Sequence, residues 1–426
     1  MFRNKQFRRY AIPLLILGVF FNFFYSGLQN DQLNVITPYF KALGWSDLAI
    51  TNPVTWASFA AIVFYLICGS AMAKFGPIKF MAPCMLVLGA ATIGIGCSEQ
   101  MNSYMFYAVC LFLVRLLVVP LQMGCFMLCN NWFVCYRGRA LGWVTIGSPL
   151  FSICGIALLT ALVSSVGLKS AYLVIGCLVF LLTLLTLLFL RSDPEKVGLA
   201  PDGAPERPEE TEEGGPIATG TLFRDKRTWL LVISYGLLQF IIVAVMSYFM
   251  IRLTSLGLTQ AEILGWLSFG AAAGIAMSYL LGWVDDKIGS IRASWLLCGL
   301  YLFAILPMAI MPQGGNGVLM FLWAFGVACM TGGCPTLQPC ITAYVYGRKQ
   351  YQSANRWIMT LQSIIIAFAV YFMAAFSEAG NLTAAYWIML VMLLIAFVAL
   401  LLMRNVKDAD AASRGYKENS ERDLLD

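Results

Sequence analysis

The chain contains no histidine in 426 residues, and only 12% of its residues are charged. Without imidazole, the commonest metal ligand and the commonest general base are both missing. Soluble domains carry about 25% charged residues and about 45–50% apolar ones. Here 60% of residues are hydrophobic and the mean hydropathy is +0.77, which excludes a soluble enzyme. There are no clustered acids within the apolar runs and no phosphate-binding loop, so an integral-membrane enzyme has no catalytic set, and no metal or cofactor is expected. The 13 cysteines lie mostly in apolar runs (Cys68, Cys110, Cys154, Cys177), where a thiol acts as a small hydrophobe rather than part of a disulfide framework. No Lys/Arg stripe with interleaved aromatics is present, so the net charge of +6 does not point to nucleic acid.

What the sequence does have is long apolar runs. A spanning helix needs about 20 mostly apolar residues. Twelve runs qualify, at roughly 11–38, 54–73, 80–97, 103–127, 140–165, 169–190, 228–251, 263–283, 293–311, 317–342, 355–376 and 382–403. They are continuously apolar rather than alternating, which argues against a β-barrel. The first is too long for a signal-peptide core and lacks a cleavage site. With alternate loops assigned to one side, 24 of the 28 basic residues fall on the side of the N-terminal tail, three (Lys41, Lys169, Arg252) on the other, and Arg115 inside a helix. This asymmetry predicts both termini in the cytoplasm and an even number of spans.

The fold expected is therefore an all-α membrane protein of twelve transmembrane helices in two six-helix bundles. The bundles are placed at 1–190 and 228–404. A polar linker covers 191–227, with the acidic run Glu206–Glu213, and a cytoplasmic tail covers 405–426. An internal repeat supports the division. At an offset of 213, Gly44 falls on Gly257, Gly69 on Gly282, Lys74 on Lys287, Gly76 on Gly289 and Lys79 on Arg292; at 214, Trp143 falls on Trp357. Two parallel six-helix halves are a known transporter plan.

The matched loops carry a pattern. Gly282-Trp-Val-Asp-Asp286-Lys287-Ile-Gly289 resembles the loop motif Gly-x-x-x-Asp-Arg/Lys-x-Gly of the major facilitator superfamily. The first-half copy, Gly69 to Gly76, has Ala73 at the acidic position. The resemblance implies a gating turn built on Gly282, Asp286, Lys287 and Gly289, in which glycines allow close packing and the acid pairs with a base or a helix end. Asn130-Asn131-Trp132-Phe133 with Arg137-Gly138-Arg139, and Asp193-Pro194-Glu195-Lys196-Val197-Gly198, are similar to bacterial oxalate/formate and monocarboxylate-type organic anion carriers.

A charge in hydrocarbon costs about 2.5–3.5 kcal/mol on insertion scales, so an intramembrane ion is a functional candidate. Two stand out. Arg115 lies mid-helix, and Asp31 lies in the outer part of the first run. The two are expected to come within reach of one another, directly or through a water or substrate. Two readings stay open for each: Asp31 as a proton-coupling acid or as an exposed helix end, and Arg115 as an anion ligand or as a structural base bound to backbone carbonyls. Asp31-x-x-Asn34 ahead of Pro38 resembles the first helix of organic anion/proton symporters, but Gln32 replaces their arginine and Gln122 their second acid.

Gln122 follows Arg115 by seven residues and so shares its helix face. Further candidate substrate ligands are Asn22, Tyr25 and Gln29 in the first run, Tyr235 and Gln239 in the seventh, Gln338 in the tenth and Gln362 in the eleventh. For each of these, ordinary helix–helix hydrogen bonding is the competing reading. Gly332, Gly333, Pro335 and Pro339 predict a broken or bent tenth helix.

The function expected is secondary transport of a small, monocarboxylate-like organic anion across the bacterial inner membrane. It would proceed by alternating access, as proton symport or by exchange, in a monomer whose other partner is the lipid bilayer. The lack of charge deep in the eighth run argues against a dicarboxylate clamp. A proton-coupled exporter of drugs or hydrophobic compounds is the alternative, since 14% aromatic residues and 20 methionines would suit an adaptable pocket. A non-transporting receptor or scaffold has no motif behind it.

Overall fold

The computed structural model describes residues 4–101, 103–203 and 217–409. Among the described residues the chain is helical, with no strand. Ten continuous helical runs among the described residues are long and apolar enough to cross a membrane. Two of them, Arg137–Phe189 and Gly317–Glu378, are more than twice the length one span needs. They turn at Gly167 (φ 80°, ψ 164°) and Gly347 (φ 69°, ψ 170°), so the ten runs carry twelve spans.

The first half holds α1 (Lys5–Ser26), a π-helical turn at Gly27–Asp31, α2 (Leu33–Ala42), α3 (Asp47–Phe75), α4 (Pro77–Met101), α5 (Tyr104–Leu117) and α6 (Val119–Trp132). It continues with α7 (Arg137–Thr145), α8 (Gly147–Leu150), a second π-helical turn at Phe151–Gly155, and α9 (Ile156–Phe189). The second half holds the short α10 (Thr219–Arg224), then α11 (Lys226–Ser255), α12 (Gln260–Ile288), α13 (Ser290–Ile310), α14 (Gly317–Ala367), α15 (Ala369–Glu378) and α16 (Leu382–Leu402).

Local chemistry sets these boundaries. Asn4, Ser46, Ser103, Asp225, Asn316 and Asn381 each accept backbone N–H groups at a helix start. Thr259 and Glu262 form a reciprocal capping box on α12. The helix ends expose the repeat: Gly44 and Gly257 (φ 87° and 90°), Gly76 and Gly289 (87° and 85°), and Gly167 and Gly380 (80° and 68°) are all left-handed, each pair 213 residues apart.

The chain folds as two compact units. One contains the residues up to Phe133 and those from Val144 to the linker, with α4 packed on α5 and α9, α3 on α5, and α1 on α6. The other contains Val134–Trp143 and the second half of the chain, with α14 packed against α11, α12 and α13, and α16 against α11 and α13. Outward faces are apolar: Leu178, Leu181, Leu184 and Leu188 on α9, and Val391, Leu394, Val398 and Leu402 on α16, are exposed. Helices that are apolar all round with such faces belong in lipid.

Three expectations change in detail. The first apolar run is not one α-helix, because the π turn interrupts it. The tenth span is not broken at its glycines and prolines; the only non-helical backbone in α14 is at Gly347. Proline's fixed φ fits a helix, and Thr336 Oγ1 donates to the Gly332 carbonyl oxygen at 2.9 Å across that stretch. The linker holds two 3-10 turns, Pro194–Val197 and Pro201–Gly203, but its acidic run Glu206–Glu213 lies outside the described residues, as does the end of the tail beyond residue 409.

Candidate functional site

The first unit gathers its polar groups around the two π turns. In the first turn the Gln32 N–H donates to the Gly27 carbonyl oxygen at 2.8 Å, a bond that skips one residue more than an α-helix does. Glycine at position 27 leaves room for the ring of Phe151, the first residue of the other π turn: a Cβ there would stand 2.2 Å from Phe151 Cε2. Phe23 packs edge-on against the same Phe151 ring at 4.7 Å. The widened turn frees the Gln29 carbonyl oxygen, and the Arg115 guanidinium donates to it from α5. Arg115 is half-buried and also lies close enough to Tyr25 and Tyr65 to interact electrostatically with both. The Tyr25 hydroxyl lies near Tyr65 on α3 and near the Gln29 side chain.

Asp31 ends the same turn, two residues after the carbonyl that Arg115 holds. Its Oδ2 accepts from Ser26 Oγ at 3.2 Å and from Ser152 Oγ, in the second π turn, at 2.9 Å. Asp31 is half-buried and Ser152 exposed. Gln32 is fully buried. Its Nε2 donates to the Leu28 carbonyl oxygen and its Oε1 accepts from Tyr172 at 3.2 Å.

Of the other candidates in this unit, Gln122 is half-buried on α6. Asn22 is fully buried, and its Nδ2 donates to the Gly18 carbonyl oxygen at 3.1 Å and to Cys125 Sγ at 3.6 Å, which pins α1 to α6.

In the second unit three of the four candidate ligands bond inside the helix packing. Tyr235 pairs with Ser294 at 2.7 Å, Gln362 Nε2 donates to the Leu231 carbonyl oxygen at 3.1 Å, and Gln338 Nε2 donates to Asn355 Oδ1 at 3.3 Å. All three are buried. Gln239 is half-buried on α11.

The loop motif has a definite partner. Asp286 accepts the backbone N–H of Gly138 at 2.8 Å and of Arg139 at 3.1 Å, and ion-pairs with Arg139 Nε at 3.2 Å. Its side chain is 3% exposed. These N–H groups belong to the first turn of α7, where a helix favours negative charge. Gly289 ends α12 in the left-handed region, and Lys287 sits over the Trp283 ring at 5.2 Å, as Lys74 sits over Phe75 at 5.3 Å. Ala73, the first-half counterpart of Asp286, is exposed.

The other two quoted motifs also meet. Asn131 Nδ2 donates to Asp193 Oδ1 at 2.9 Å, and Trp132 Nε1 to the Arg191 carbonyl oxygen at 2.9 Å.

Sequence reasoning did not find Ser26, Tyr65 or Ser152. A serine or tyrosine in an apolar run carries no signal until a neighbouring helix brings it an ion. Among the described residues, no group of three or more Cys, Asp or Glu side chains could hold a metal ion.

Comparison with known proteins bears on the whole chain. The sequence profile described as Major Facilitator Superfamily matches residues 15–361. No curated protein sequence matches. Among solved structures, the FucP transporter in its outward conformation is similar with a TM-score of 0.69 and 13% identity, over 93% of this chain and 99% of that one. An alanine variant of the E. coli fucose:proton symporter FucP gives 0.70 and 14%, with the same coverage. The proton:xylose symporter XylE bound to 6-bromo-6-deoxy-D-glucose gives 0.74 and 13%, over 94% of this chain and 96% of that one. Identities this low carry the fold alone, and none of these structures is an organic anion carrier.

Proposed function

The chain belongs to the major facilitator superfamily, and we propose that it carries a small, monocarboxylate-like organic anion across the bacterial inner membrane. As a member of that superfamily it is a secondary transporter and not an enzyme. The observation that carries the substrate reading is Arg115: a guanidinium half-buried in a span, within reach of two tyrosines. A permanent planar cation of this kind suits a carboxylate, which it can bind through two parallel hydrogen bonds. Tyr25 and Gln29 border it, and the half-buried Gln122 of the same unit supplies a neutral donor and acceptor for the rest of the substrate. The buried Asn22, Tyr235, Gln338 and Gln362 hold helices together.

Asp31 is the proton-coupling group in this reading, because it is the one acid within the apolar runs of the sequence and is half-buried. The relatives in fold described as fucose:proton and proton:xylose symporters make proton symport the favoured coupling. Alternating access would release the Asp286 latch on residues 138–139 in one part of the cycle, with Gly282, Lys287 and Gly289 shaping the turn. The basic-residue asymmetry of the loops supports a cytoplasmic location for both termini.

The test is uptake into proteoliposomes against a panel of monocarboxylates, dicarboxylates and neutral monosaccharides, with and without an inward-acid pH gradient. A monocarboxylate is expected to accumulate with the gradient, and Arg115→Gln to abolish its uptake. Accumulation of a monosaccharide with no carboxylate moved, or full carboxylate uptake by Arg115→Gln, overturns the anion reading.

A further inference from the structure

The two π turns of the first unit are tied together, and the tie runs through a carboxylate. Each turn holds one residue more than an α-helix would. Such a turn returns to α-helical register when its neighbours stop holding it. Here Phe151 seats on Gly27, and Ser152 Oγ donates to Asp31 Oδ2 at 2.9 Å. The same Ser152 hydroxyl already lies 3.5 Å from a second acceptor, the Ser148 carbonyl oxygen one turn back in its own helix.

A hydrogen bond to a charged carboxylate is about twice as strong as a neutral one. Ser152 therefore chooses by the charge on Asp31. When Asp31 is ionised the hydroxyl bridges the two turns, and when Asp31 is protonated the Ser148 carbonyl becomes the better acceptor and the bridge opens. The other ionisable groups on the elements packed against the turn are Lys5, Arg8, Arg9, Tyr10 and Tyr25 of α1, Tyr39 and Lys41 of α2, Tyr104, Tyr107, Cys110 and Arg115 of α5, and Cys154 of the second π turn; of these, Tyr39 is bonded to Glu99 at 2.7 Å. Arg115 acts on the turn through the Gln29 carbonyl and so holds its near side in both states.

We propose that Ser152 is a positioning residue that passes the protonation state of Asp31 to the second π turn, loosening Phe151–Gly155 when Asp31 takes up a proton. The proposal rests on Asp31 as the proton-coupling group. It adds what the proton changes: the register at the entry to α9, on a helix that does not carry the acid.

Hydrogen–deuterium exchange of the full-length protein in nanodiscs at pH 5 and pH 8, corrected for the intrinsic pH dependence of exchange, reads this directly. Amides of residues 151–156 are expected to exchange at least threefold faster at pH 5. Asp31→Asn should make them fast at both pH values. Ser152→Ala should remove the pH difference, and Ser152→Thr, which keeps the hydroxyl, should restore it. Thermal unfolding of each variant confirms that the protein is folded.

If Asp31→Asn removes the pH difference but Ser152→Ala preserves it, the role of Ser152 is wrong while the proton reading stands. If Asp31→Asn leaves the pH difference in place, the proton reading itself fails. No pH difference in the unmodified protein overturns the proposal outright.

Discussion

Gly138 and Gly282 meet with no space for a side chain on either. A Cβ on Gly138 would stand 2.2 Å from the Gly282 carbonyl oxygen, and one on Gly282 would stand 2.1 Å from the Gly138 carbonyl oxygen. One turn further on, a Cβ on Gly142 would stand 2.5 Å from the Ser278 carbonyl oxygen. Small residues at a spacing of four let α7 and α12 approach backbone to backbone. That approach brings Asp286 against the first N–H groups of α7.

Alanine at Gly138 or Gly282 should therefore force the helices apart, at about 1–3 kcal/mol, the usual range for overpacking. Gly299→Ala is the control: nothing lies within 4 Å of its Cβ position, and it is a mid-helix glycine of α13. That change should be neutral or stabilise by up to about 1 kcal/mol. Thermal unfolding in detergent distinguishes them, with a lowered midpoint for the first two and none for the third.

Asp286→Asn should destabilise more than its size suggests. It removes the negative charge that holds two backbone N–H groups and the Arg139 Nε. Hydrogen bonds to charged groups contribute about 1.5–3 kcal/mol. Ala73→Asp restores the motif's acid at an exposed position and should change stability by no more than about 0.5 kcal/mol. Equal losses in the two variants would show that the acid acts through charge at the membrane surface rather than through α7.

Gln32 and Tyr172 should be coupled. Gln32→Leu leaves the buried Tyr172 hydroxyl without its acceptor, which costs about 1–3 kcal/mol. Tyr172→Phe in the same chain removes that orphan, so the double variant should be less destabilised than the two single losses added together. A fully additive double-mutant cycle would break the claim that this hydrogen bond is formed.

Gln338→Ala should lower the unfolding midpoint through loss of its bond to Asn355, again within about 1–3 kcal/mol. The half-saturation concentration for transport should stay the same, because the side chain is 2% exposed and engaged within its own unit. A rise of tenfold or more with unchanged stability would return Gln338 to the substrate site.

Much of the architecture was legible without coordinates, because lipid imposes strong rules. Spans are long and apolar, and loops carry the ions. The repeat at 213 residues was visible as glycines, and the helix ends confirm it as shared left-handed backbone at Gly76 and Gly289. The site was legible only in its ions. Asp31 and Arg115 stood out because charge is rare in such runs. Their partners did not, since a serine such as Ser152 looks like any small polar residue of a membrane helix.

The sequence by itself determined the class of molecule, the number of spans and the places where charge enters the membrane. All three follow from transfer free energies, which depend on residue type and run length. Only the tertiary structure decided which hydroxyls face Asp31, that the first run widens into a π turn, that Tyr235, Gln338 and Gln362 are buried and hydrogen bonded to neighbouring residues, and that residues 134–143 join the second unit. These outcomes depend on which helix lies beside which and on clearances of a few tenths of an ångström, and neither is written in the hydropathy of a single run.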